Sequence, residues 1–114
     1  MKSLQIQLKR LRDILNNTSG RGRIFHYTRP KDKDQHWVTW QEDGEGESSD
    51  SDNVKAFQQV HGTIDLFTRT EYDPLADEIQ EALNNAEHVG WMLTSVQYED
   101  ETNLIHYEWE FNIG

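Results

Sequence analysis

The chain has 114 residues, no cysteine, and a net charge of −10 from 11 basic and 21 acidic side chains. The lack of cysteine excludes disulfides, thiolate nucleophiles and cysteine-ligated zinc, and the acidity argues against general nucleic-acid binding because phosphates would be repelled. No apolar run approaches about 18 residues and no leader pattern is present, so we expect neither a membrane span nor a secretory signal.

The charge is divided unevenly along the chain. Residues 1–33 carry nine basic and two acidic side chains, a net charge of +7, whereas residues 34–114 carry two basic and nineteen acidic ones, a net charge of −17. Such asymmetry indicates an oriented contact with a partner or with another copy of the chain. The two sets could equally lie together in the fold and neutralise each other locally.

The first third of the chain predicts one helix followed by two strands. Behind a plausible N-cap at Ser3, apolar side chains recur on one helical face at Leu4, Leu8, Leu11 and Leu15. Residues 23–28 and 35–41 are rich in strand formers and flank a polar turn, which predicts an antiparallel hairpin. Because Trp37 and Trp40 are three residues apart, they face opposite sides of the second strand. One indole is then either exposed as an interface anchor or covered by a helix or loop.

Residues 42–53 contain six acids and no apolar side chain; the acids are Glu42, Asp43, Glu45, Glu47, Asp50 and Asp52. Such a segment cannot bury enough surface to offset the entropy of ordering, so we predict a flexible surface loop. A calcium loop would need Gly at its sixth position and Glu at its twelfth, and this segment fails that pattern.

The remainder of the chain predicts a strand over 54–68, a helix and a final hairpin. Gly62 is typical of a bulge, and Asp73 followed by Pro74 is typical of a helix start, with the helix segment ending at Gly90. Residues 91–98 and 104–113 form the hairpin, the latter in strict alternation. The order α-β-β-β-α-β-β predicts one α+β domain over 1–114, a two-layer sandwich of an antiparallel five-stranded sheet and two helices.

One strand face carries candidate metal ligands. His106, Glu108 and Glu110 project from the same side of the last strand. A solvated strand face is the favoured interpretation, since no second cluster supplies further ligands. The sequence also lacks a His-Glu-x-x-His pair and a nucleophile elbow. We therefore expect no cofactor and no enzymatic activity, with a metal-dependent enzyme as a distant alternative.

Several segments resemble a family of small phage and prophage proteins, the tail terminator or tail completion proteins of long-tailed phages of Gram-positive bacteria. The resemblance is carried by 61–68, 71–75, 95–99 and 105–109, and extends to 1–60 only in element order. It implies a virion protein of the neck or upper tail, assembled in the host cytoplasm as a ring of six copies. The ring would cap the tail tube and join it to the head connector proteins, with no membrane contact and with DNA passing through unbound.

The charge division suits a head-to-tail ring contact, in which one patch meets a different patch on the next copy. The predicted interface residues are Lys9, Arg10, Arg12, Arg21, Arg23, Trp37 and Trp40. The acids of 42–53 would face the lumen or a partner. Two alternatives stay open: another neck-region ring protein (head closure or connector), and an acidic DNA-mimicking inhibitor, which the basic first third disfavours.

Overall fold

The computed structural model describes residues 3–33, 35–46, 49–51 and 54–114. The elements in chain order are α1 (Leu4–Asn16), β1 (Ile24–His26), β2 (Trp37–Glu45), β3 (Ser49–Ser51), β4 (Val54–Phe57), β5 (Val60–Thr68), α2 (Pro74–Asn85), β6 (Val89–Glu99) and β7 (Leu104–Ile113). No helix of this described part is both long and apolar enough to cross a membrane.

Both helices begin where the sequence predicts. The Ser3 hydroxyl accepts a hydrogen bond from the Ile6 amide at 3.2 Å, and the Asp73 carboxylate accepts one from the Leu75 amide at 2.9 Å. These are the bonds that N-cap residues supply to the unpaired amides of a first turn. α2 ends at Asn85 rather than at Gly90, because Ala86 already has an extended backbone (φ −83°, ψ 140°) and Gly90 belongs to β6.

The five-stranded sheet has the order β1-β2-β5-β7-β6 and is mixed. β1 runs parallel to β2, so the predicted antiparallel hairpin is wrong. The chain changes direction after β1 at Tyr27, which has a left-handed φ of 71°. The polar connection then returns it to the end of the sheet at which β1 begins, so that β2 starts beside the start of β1. The Val38 amide then donates to the Arg23 carbonyl at 2.9 Å, which fixes the parallel register. The remaining strand pairs are antiparallel, and the α+β two-layer prediction is confirmed.

The sheet buries apolar side chains on both sides. The main core lies under the helices; its fully buried members include Leu11, Leu15, Ile64, Ile79, Leu83, Trp109 and Phe111. A smaller cluster on the other side contains Trp37, Phe67 and Leu104, with the Trp37 and Phe67 rings stacked at 4.8 Å. Trp40 belongs to the main core, and both indoles are only 2% exposed. Their opposite orientation is as expected, but neither is exposed.

The acidic segment is more regular than predicted. β2 continues through Glu45, and β3 pairs with β4 in a separate two-stranded sheet, so a loop over all of 42–53 is wrong. The predicted strand over 54–68 is accordingly two strands. The bulge lies in β2 between Glu42 and Gly44, and Gly62 lies opposite it. Gly62 is required for another reason: an added Cβ would clash with the Gln41 carbonyl and would lie 2.5 Å from the Phe111 ring.

Candidate interaction surface

Arg10 is hydrogen-bonded within its own chain. Its guanidinium donates to the Glu87 carbonyl at 2.6 Å, to the Gln7 side chain at 2.9 Å and to the Gly114 carbonyl at 3.3 Å. These bonds tie α1 to the segment after α2 and to the end of β7. Because the charged group is satisfied by carbonyls of the same chain, its first role is to hold the helix layer on the sheet.

The other predicted basic residues are distributed differently. Arg23 donates to the His36 carbonyl at 3.1 Å and the Asp32 carbonyl at 3.0 Å, so it orders the connection before β2. Lys9 and Arg21 are exposed, as is Arg12, whose Nε lies 3.0 Å from the neighbouring Asp13 carboxylate. The basic side chains available to another molecule on α1 are therefore Lys9 and Arg12 rather than Arg10.

Two of the predicted loop acids are bonded to histidines of the sheet. Glu42 lies 2.7 Å from His26 and also accepts from the Tyr27 hydroxyl, while Asp43 lies 2.6 Å from His61. Burial acts to raise the pKa of Glu42, but the hydrogen bonds from Tyr27 and His26 outweigh it and the pKa is lowered. The bond to Glu42 in turn raises the pKa of Tyr27.

The remaining acids of the segment are Glu45, Glu47, Asp50 and Asp52. Glu45 accepts from the Gln58 side chain at 2.9 Å. Asp50 lies in β3, while Glu47 and Asp52 fall outside the described residues. The structure thus places the first acids of the segment on a strand, where histidines and a tyrosine contact their carboxylates.

The candidate metal ligands of β7 are only partly brought together. Asp65 of β5 takes the place predicted for Glu110, and ligand atoms of Asp65, His106 and Glu108 lie within 4.8 Å of one another. Asp65 and His106 are already joined at 2.7 Å, and Thr94 donates to Glu108 at 2.9 Å. Chemically, one imidazole and two carboxylates could hold a divalent ion, but each has a protein partner. Glu110 instead lies 3.9 Å from His61.

An apolar surface that sequence reasoning missed lies along β6. Leu93, Val96 and Tyr98 are 41%, 51% and 59% exposed, and we call these three residues the β6 strip. They share one side because Thr94 forms a bulge, after which Val96 and Tyr98 lie opposite Tyr107 and Ile105. Apolar side chains in this part of β6 therefore do not recur at every second residue. The only signal for the bulge in the sequence is the spacing of three between Leu93 and Val96.

The β6 strip lies on the helix side of the sheet, where neither helix covers it. Leu93 is opposite the buried Trp109, and both line a cleft of about 300 Å³ beside the start of α2, together with exposed Tyr72. β6 is also an edge strand of the five-stranded sheet. Exposed apolar side chains on a long edge strand are a feature that monomeric proteins usually avoid and that interfaces use.

Comparison with known proteins shows that the fold of this chain is similar to that of a solved structure. No family model matches the chain, and no curated protein matches it. Among solved structures, the chain is similar to one in the virion of a native gene transfer agent particle, with a TM-score of 0.61 and 11% sequence identity. The match covers 98% of this chain and 96% of that chain. The two proteins share a fold over nearly their whole lengths.

Proposed function

We propose that this chain is a structural subunit of a phage-like particle, and more narrowly a tail terminator that forms a ring between the tail tube and the head connector. The observation that carries the proposal is the fold likeness to a chain of a gene transfer agent virion, which extends over nearly all of both chains. The resemblance of 61–113 to tail terminator proteins supports the narrower role.

The uncovered β6 strip supports self-association. A subunit that works only in an assembly keeps an apolar surface that its own helices leave open, as Leu93, Val96 and Tyr98 do here. A ring of copies would bury that surface. DNA would pass through such a ring without specific contacts, since the acidic balance of the chain offers phosphates few anchors.

The test is a binding experiment with the tail tube. The purified chain is incubated with tubes assembled from the tail tube protein of the same particle, and the mixtures are imaged by negative stain. We expect a ring at one end of each tube and an arrest of further tube growth. Rings that bind the head connector but not tube ends would favour another neck-region protein, and failure to bind either would contradict the proposal.

A further inference from the structure

We propose that the β6 strip of one subunit binds the outer face of α1 in a second copy of the chain. This contact would join neighbours in the proposed ring, on which the inference rests. By the outer face of α1 we mean Ile6, Lys9 and Arg12, which follow at intervals of three and therefore adjoin one another on the helix surface. All three are exposed, and Ile6 is 53% exposed.

The two surfaces match in chemistry. Each has an apolar part, since Ile6 would be buried against the strip. Their borders carry opposite charge: exposed Glu99, Asp100 and Glu101 follow the strip directly, whereas Lys9 and Arg12 border Ile6. Opposite charge around an apolar centre favours one orientation of the two copies and speeds their encounter.

The two surfaces of one subunit lie too far apart to meet each other. Arg10, one turn after Ile6, is bonded to the Glu87 and Gly114 carbonyls, at the end of the sheet where β6 begins. Tyr98 pairs with Ile105 toward the opposite end. At about 3.3 Å per residue, the seven steps from Val89 to Val96 span roughly 20 Å. The contact must therefore form between copies. One patch meeting a different patch generates a ring when the rotation between neighbours closes.

The chain has no cysteine, so single introduced cysteines give an unambiguous test. Ile6→Cys and Val96→Cys chains are prepared separately, mixed, and treated with a short bifunctional maleimide in solution and in the presence of tail tubes. We expect a cross-linked dimer from the mixture and little from either chain alone. The double variant I6C/V96C should give a ladder of products that ends at the ring size.

A matched pair of substitutions on one strand supplies the second measurement. Val96→Asp should weaken self-association at least tenfold, which corresponds to about 1.4 kcal/mol. Gln97→Asp adds the same charge at the next, also exposed, position of β6 on the other side of the sheet, and should leave self-association unchanged. Thermal unfolding of both variants checks that the monomer fold is kept.

The outcomes separate this inference from the proposed function. Rings on tail tubes without any 6-to-96 cross-link would overturn the inference and leave the ring proposal standing. Cross-linking of V96C with itself would also overturn it, by indicating edge-to-edge pairing of two β6 strands. A 6-to-96 ladder formed by a protein that binds neither tubes nor connectors would support the contact and contradict the tail role. Absence of cross-links both in solution and with tubes overturns the inference.

Discussion

The Thr68 hydroxyl donates a hydrogen bond to the Asp73 carboxylate at 2.7 Å, and both side chains are buried. Thr68 is the last residue of β5 and Asp73 is the N-cap of α2, so the bond joins the sheet to the helix layer. The second carboxylate oxygen accepts from the Leu75 amide at 2.9 Å. One side chain thus starts α2 and sets where it lies on the sheet.

Asp73→Ala should therefore destabilise the fold. It removes the cap and leaves the buried Thr68 hydroxyl without its acceptor, and we expect a loss of about 2 kcal/mol in the free energy of unfolding. Urea unfolding followed by tryptophan fluorescence measures it. Asp77→Ala, at an exposed position in the first turn of the same helix, is the control and should change stability by less than about 0.5 kcal/mol. Equal effects of the two substitutions would argue against the role of the Thr68 bond.

Stability should fall in acid. The pKa of Asp73 is lowered because hydrogen bonds from Leu75, Thr68 and His36 outweigh the opposing effect of burial, and that of Glu42 is lowered similarly by Tyr27 and His26. Because these pKa values are lower in the folded state, the unfolded chain takes up protons at a higher pH than the folded chain does. The stabilisation is therefore complete above the ordinary carboxyl range of about 4 and is lost as the pH falls through the folded-state values.

Urea midpoints measured from pH 7 to pH 2.5 test this dependence. We expect the wild type to lose stability below about pH 4, and a variant combining Asp73→Ala with Glu42→Gln to show a shallower loss. A double variant with an unchanged slope would mean that other carboxylates dominate the acid response.

Gly62→Ala should unfold or strongly destabilise the chain, because the new Cβ would clash with the Gln41 carbonyl and would lie 2.5 Å from the Phe111 ring. Backbone cannot move aside there without breaking the β2–β5 ladder, so we expect a loss of more than about 3 kcal/mol. Gly90→Ala is the matched control, since a Cβ there meets no described heavy atom within 4 Å. Melting temperatures of the two variants should differ clearly; similar values would contradict the close approach at Gly62.

Substitutions at Lys9 and Arg10 should have different effects, the first on self-association and the second on the stability of the fold. Arg10→Ala should lower the free energy of unfolding by about 1–2 kcal/mol, since it removes charge-assisted bonds to the Glu87 and Gly114 carbonyls. Lys9→Glu should leave unfolding unchanged and weaken self-association, most strongly at low salt where charges are poorly screened. Sedimentation at 50 mM and 500 mM salt, with urea unfolding alongside, measures both. If Arg10→Ala abolished assembly without affecting stability, the prediction from the sequence that Arg10 is an interface residue would be favoured.

Much of the fold could be predicted from the sequence because interactions between neighbouring residues determine it. The capping of α1 and α2 follows from Ser3 and Asp73, and the alternation of 104–113 follows from a strand with one buried side. The direction of β1 relative to β2 could not be predicted. A polar connection between two strand segments is compatible with a hairpin or with a return crossover. The Val38 amide donates to the Arg23 carbonyl and the Tyr27 amide to the Trp40 carbonyl, and these bonds decide for the crossover.

The candidate surface was the least predictable part. Counting charges singled out Arg10 and Arg23, but carbonyls distant in sequence bind both guanidiniums. Composition also indicated an irregular acidic segment, yet partners from β1 and β5 bind Glu42 and Asp43 on an extended β2. The β6 strip depends on one bulge at Thr94, which a regular period of two conceals.

By itself the sequence determined the two helices and the final hairpin, as well as the division of charge and the absence of thiol chemistry, because these depend on neighbouring residues and composition. Only the tertiary structure decided the mixed sheet, the burial of both Trp37 and Trp40, and the side chains left exposed. Burial and pairing are set by segments far apart in the chain. The side chains that stay exposed after those contacts have formed are the ones available to an interaction surface.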